Sequence, residues 1–129
     1  MFHPIESGTL LYRDSIQHHL FILLTGPCGR GKQVLLVPIC THLKSNRDTA
    51  CLLDQADHKF IRHKSYVAYA LCRIESADKL KRGVSSGLFE DKGILQANVF
   101  QRVLDGFDSS RFVKPFATKH WKRYQQEKQ

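Results

Sequence analysis

The chain has 129 residues, with 20 Lys+Arg against 12 Asp+Glu and a formal charge of +8. Its 42% hydrophobic and 25% charged residues fit one globular domain spanning residues 1–129 and exclude a disordered or collagen-like chain. The longest apolar stretch, residues 20–24, falls far short of a membrane span, and Met1-Phe-His-Pro-Ile-Glu6 lacks the basic start and apolar centre of a secretory leader, so no membrane association and a cytoplasmic location are expected.

The first half reads as strands. Residues 9–12, 19–25, 33–40 and 49–54 are short apolar runs separated by turns rich in Gly, Pro, Asn and Asp. Residues 65–74 form a longer β-rich run that is apolar at both parities. Five such runs predict a mainly β fold, a small antiparallel barrel or sandwich over residues 5–76. The period then changes. Residues 79–82 predict a helical turn stopped by Gly83. Leu95, Val99, Val103 and Leu104 mark one face of a helix over residues 94–104, ended by Gly106. Residues 77–116 are thus expected as appended helices. Residues 117–129 read as a basic tail with room for one more helical turn, since from Arg111 onward the only acidic residue is Glu127.

Two features bear on compartment and partner. Cys28, Cys40, Cys51 and Cys72 show no C-x-x-C spacing, and the last three sit in apolar runs, as buried reduced thiols do. The excess of basic residues favours an anionic partner, with nucleic acid the first candidate and an aid to solubility the plainer reading.

Gly26-Pro-Cys-Gly-Arg-Gly31-Lys32 fits the P-loop pattern up to its lysine. In such loops backbone N–H groups wrap a phosphate, a following hydroxyl holds the metal, and a helix begins. Here Gln33 replaces the hydroxyl, and residues 34–38 read as a strand closed by Pro38. A basic hairpin loop joining two core strands is the preferred reading, with nucleotide binding as the outside alternative.

Taken in order, these segments resemble the PemK/MazF family of toxin endoribonucleases. Gly8-Thr-Leu-Leu-Tyr12 is similar to the family's opening strand, and His19-Leu-Phe-Ile-Leu-Leu24 to its apolar second strand. Val34-Leu-Leu-Val-Pro38-Ile-Cys-Thr41 is similar to the strand that ends in Pro and Thr. Ser65-Tyr-Val67 resembles the later Ser-x-Val strand, and Asp78-Lys-Leu80 with Gly83 or Gly87 the Arg-Leu turn. The resemblance covers residues 5–116 and rests on the order of the motifs. It implies an SH3-like barrel with appended helices, a homodimer, and a partner antitoxin with an acidic tail. It also implies cleavage of RNA without metal or other cofactor, in which the ribose 2′-OH attacks the adjacent phosphate. Thr41 occupies the family's Thr position, whereas His18-His19 stand where the family has Arg-Pro.

The candidate catalytic residues are therefore His18, His19, Thr41, Arg62 and His63. Adjacent histidines at a strand entrance alternate faces, so at most one is expected to point inward. A plainer reading makes them an exposed surface pair and Thr41 a strand end capping the next turn. Arg62 supplies a fixed cation, His63 a proton-transfer group and Lys64 a mobile cation. Ser65 adds a donor, and Phe60 and Tyr66 offer rings on which bases can stack. Arg30 and Lys32 of the glycine-rich loop complete the expected RNA-binding set. The plainer reading of residues 57–65 is a basic loop with Phe60 plugging the core. Asp57, His58 and His63 lack helical i, i+4 pairing, and no metal site is expected. The rival to an RNA-cleaving protein is a non-enzymatic barrel that binds nucleic acid or protein.

Overall fold

The computed structural model describes residues 1–13 and 18–128. In chain order, seven strands are β1 (Gly8–Arg13), β2 (His18–Leu23), β3 (Gln33–Thr41), β4 (Leu52–Leu53), β5 (Ser65–Val67), β6 (Arg73–Ser76) and β7 (Phe89–Ile94). The helices are α1 (Ala77–Ser86), α2 (Ala97–Ser109) and α3 (Pro115–Lys128). All pairings are antiparallel and run in the order β4-β5-β3-β2-β1-β7, with β6 beside the first half of β3. Among the described residues no pairing joins β7 to the far edge, so the sheet is open and the expected closed barrel is not seen.

The apolar runs at both parities have a direct cause. Leu20, Ile22, Leu35, Val37 and Ile39 enter one core, while Phe21, Leu23, Val34 and Leu36 enter another across the sheet. Val99, Phe100, Val103 and Phe107 of α2 and Ala117 of α3 belong to the first; Leu80 of α1 and Phe89 belong to the second. A sheet covered on both faces needs near-continuous hydrophobic strands.

Several boundaries differ from those expected. Residues 65–74 are not one strand: β5 and β6 are separated by a 3-10 turn, Tyr69–Leu71. Ala68 N–H donates to the Pro38 carbonyl at 2.9 Å, and Leu71 N–H then bonds back to the Ala68 carbonyl. Strand β3 thereby changes partner, from β6 over Gln33–Leu36 to β5 over Ile39–Thr41. Pro38, which has no N–H to give, sits in that gap, which is how a proline fits a central strand. Of residues 49–54 only Leu52–Leu53 are strand, because Asp48 accepts the Ala50 N–H at 3.2 Å and holds the approach as a turn.

Gly83 and Gly106 lie inside α1 and α2 instead of stopping them. Both mark close approaches: a Cβ on Gly83 would lie 2.3 Å from the Phe89 ring, and one on Gly106 2.3 Å from the Tyr69 hydroxyl. The expected basic tail is the 14-residue helix α3, opened by Pro115 and seated through buried Ala117 and His120. Trp121 adds a ring contact with Phe107 at 5.8 Å. Gln129 lies outside the described residues. Strand β7, too polar to read as a strand, pairs with β1 at the sheet edge. Directly after Lys32 the chain is extended, which removes the P-loop alternative. Among the described residues no helix is long and apolar enough to cross a membrane. All four cysteines are free; burial raises their pKa values, that of Cys72 to about 12.

Candidate functional site

A cavity of about 810 Å³ opens where the start of β2, the end of β3, the loop before β5 and the outer strands β1 and β7 converge. His18, His19, Thr41, Phe60, Arg62, His63 and Ser65 all line it. Both histidines border the cavity, although strand alternation predicted one. His18 is the first residue of β2, opposite Arg13 at the end of the pairing, and is exposed there; His19, opposite Tyr12, is half-buried.

The loop between β4 and β5 is held in place before it presents its cations. Asp54 N–H donates to Asp57 Oδ2 and Ala56 N–H to Asp54 Oδ1, each at 2.9 Å. Arg102 of α2 reaches from the helix to Asp57 Oδ1 and the Leu52 carbonyl, both at 2.7 Å. Gln55 donates to the Arg62 carbonyl at 2.6 Å, and Ile61 is buried in the core beneath. Arg62 and His63 are thus carried exposed on a fixed backbone. Thr41 Oγ1 and His63 Nε2 share a hydrogen bond of 2.9 Å, linking the end of β3 to this loop. Ser65 turns its hydroxyl inward, donating to the His63 carbonyl at 2.9 Å, so it braces the loop.

Three further charged residues, Arg13, Glu90 and Lys92, also line it and were not foreseen. Glu90 binds Arg13 through Oε2 at 3.1 Å and Lys92 through Oε1. The Lys92 ammonium also lies 4.1 Å from the centroid of the Phe60 ring. Among the described lining residues Glu90 is the one carboxylate, against Arg13, Arg62, Lys92 and three imidazoles. Its hydrogen bond to Lys92, opposed by desolvation and aided by the charges of Lys92 and Arg13, holds its pKa below the ordinary carboxylate value. The cavity is therefore a cationic hollow with a partial internal counter-ion, suited to an anion. Strand β7 gave no signal as a strand, and Arg13 and Lys92 come to the site only through its pairing with β1.

The remaining expected residues fall elsewhere. Lys64 borders a separate hollow of about 430 Å³ with Asp54, Gln55, Ala56 and His63. Tyr66 is outside the cavity lining, its hydroxyl beside Cys40. Arg30 and Lys32 belong to the hairpin loop at the opposite end of β3, roughly 25–30 Å of extended strand from Thr41. That loop is tied to α3. Gly29 N–H donates to both carboxylate oxygens of Glu127 at 3.1 Å, and His120 Nε2 lies 3.1 Å from the Gln33 carbonyl. Asp57 and His58 are also engaged within the fold, and the described residues contain no cluster of three metal-ligating side chains.

His58 sits beneath the cavity wall. Phe60 N–H donates to its Nδ1 at 3.1 Å, so the ring proton is on Nε2, which faces the Lys92 carbonyl and Thr9 Oγ1 at 3.2 Å each. Burial lowers its pKa, the Lys92 carbonyl opposes that, and the charges of Lys59 and Lys92 lower it further. No known protein-family model matches the chain, and no curated protein is similar to it, so the residues around the cavity are the basis for a functional reading.

Proposed function

We propose that this protein binds single-stranded RNA in the cationic cavity and cleaves it without a metal, as a PemK/MazF-like endoribonuclease of a toxin–antitoxin pair. In this reading the open sheet is a divergent SH3-like barrel, the chain works as a homodimer, and an acidic antitoxin segment competes for the same hollow. The observation that carries the reading is the meeting of His18, His19, Thr41, Arg62 and His63 around one cavity, from three separate segments of the chain.

His63, oriented by Thr41, takes the proton from the ribose 2′-OH as the new O2′–P bond forms. His18 or His19, on β2, gives a proton to the departing 5′-oxygen as the P–O5′ bond breaks. Arg62 stabilises the extra negative charge on the phosphorane, a role in which a guanidinium exceeds an imidazole. The products are a 2′,3′-cyclic phosphate and a 5′-hydroxyl. The replacement of the family's Arg-Pro by His18-His19 specifically favours a second reading, a barrel-like module that binds nucleic acid or protein without cutting it.

Incubation of labelled RNA with the protein in EDTA separates the two. Cyclic phosphate ends that vanish in His63→Ala and Arg62→Ala support cleavage. Intact RNA that is nonetheless retained supports the binding module, and RNA that is neither cut nor bound rejects the proposal.

A further inference from the structure

We infer that His58 is a positioning residue: its neutral imidazole seats Phe60 against Lys92 in the cavity wall and releases that ring on protonation. The geometry stands by itself, while its effect on ligand binding rests on the RNA reading above.

His58 joins three parts of the fold. On its own loop it accepts the Phe60 N–H; from β7 it meets the Lys92 carbonyl; from β1 it meets Thr9, whose hydroxyl donates onward to the Gly93 carbonyl at 2.9 Å. The joint depends on an irregularity in β7. Gly8 pairs with Ile94 but Leu10 pairs with Asp91, which leaves one extra residue on β7 opposite Thr9. Gly93 accommodates this bulge at φ +83°, with its N–H held by Asp91 Oδ1 at 3.0 Å. The bulge leaves the Lys92 carbonyl within reach of His58, while the Lys92 ammonium lies over the Phe60 ring. Neither Phe60 nor Lys92 is fixed in the cavity by sequence neighbours alone, since they come from different segments.

Only the tautomer protonated at Nε2 fits this set, because Nδ1 must accept and Nε2 must donate. A proton added to Nδ1 would confront the Phe60 N–H with a second donor. It would also place a third cation beside Lys59 of the same loop and Lys92 of β7; Thr9 of β1 is uncharged, and Glu90 is already paired with Lys92 and Arg13. Burial disfavours the imidazolium in the same sense, while the Nε2–H bond to the Lys92 carbonyl survives protonation, so the Phe60 end of the joint is the one that opens.

Nuclear magnetic resonance tests the inference on the wild-type protein. As pH falls, the ring-current shift of the Lys92 side-chain protons over Phe60 is expected to disappear, and the Phe60 amide to lose protection, with the same midpoint as His58 protonation. A Lys92 shift that survives His58 protonation overturns it. Two variants extend the test. His58→Asn, which keeps an acceptor near the Nδ1 position and does not titrate, retains the Lys92 shift across the range; His58→Ala loses it at every pH, and the reverse pattern refutes the role. With a short oligoribonucleotide, His58→Ala weakens binding about tenfold and His58→Asn restores most of it. If wild type binds no RNA at all, the proposed function fails while the resonance titration still decides the role of His58.

Discussion

Substituting Arg62 by Ala gives the sharpest measure of the cationic cavity. Among the described residues three side-chain cations line it, Arg13, Arg62 and Lys92. Each phosphate neutralised on a single strand contributes about 0.7 to the slope of log affinity against log salt, so three give a slope of about −2. Raising salt from about 50 to about 200 mM then weakens binding roughly 20-fold. Arg62→Ala lowers the slope to about −1.4 and the salt effect to roughly sevenfold. The substitution leaves the loop's anchors in place, because Gln55 holds the Arg62 backbone carbonyl and Asp57 is held by Arg102. Fluorescence anisotropy of a short labelled oligoribonucleotide, titrated at several salt concentrations, reads both numbers. Lys32→Ala, at the far end of β3, is the control and leaves the slope unaltered. Equal slopes for wild type and Arg62→Ala, or a change in Lys32→Ala of the size assigned to Arg62, would refute the assignment of the ligand to this cavity.

Glu90→Gln removes the carboxylate that pairs with Arg13 and Lys92 and unmasks both, so the same oligoribonucleotide binds about three- to tenfold tighter at low salt; weaker binding would show that the carboxylate is needed to hold Lys92 in place. Gly106→Ala forces a methyl group against the Tyr69 hydroxyl and Cys51, and that hydroxyl donates to the Val103 carbonyl at 2.6 Å. Overpacking and the strained hydrogen bond outweigh the better helix propensity of Ala, for a net loss of about 1–3 kcal/mol in urea denaturation; a stabilised variant would contradict the packing. His58 and His120 both have pKa values lowered mainly by burial. The unfolded chain therefore binds their protons more readily, so their contribution is complete above the ordinary histidine pKa near 6.5 and is lost as pH falls through the lowered folded values. The urea midpoint should decline over that window, and a midpoint that stays constant while both histidines titrate would count against it.

The strand pattern was legible because burial on both faces of the sheet leaves long apolar runs, and β1, β2 and β3 were found nearly to the residue. What misled was glycine. Gly83 and Gly106 look like helix stops, yet each is required by a ring or hydroxyl that arrives from a distant segment. The two-part character of residues 65–74 was equally hidden, because the switch depends on the Pro38 carbonyl and not on local propensity. In the site, the cluster from Phe60 to Ser65 and the pair His18-His19 stood out by residue type. Arg13, Glu90 and Lys92 did not, since an edge strand such as Phe89–Ile94 needs few apolar residues and is recognised only by what it pairs with. The same reasoning misplaced Arg30 and Lys32, whose charge was evident but whose separation from Thr41 follows from the length of β3.

The handover at Pro38 divides β3 into two halves with different partners. Its first half pairs with β6 and its second with β5, while β2 spans the junction over Leu36–Pro38. Although no single ladder runs the whole length of the β5/β6 side, the β2 ladder splices the two halves, and Ile39, Leu53, Ile61 and Val67 hold the second half in the buried core. The cavity rim at Thr41 is thereby carried by the same strand that forms the middle of the sheet, so the two share one alignment.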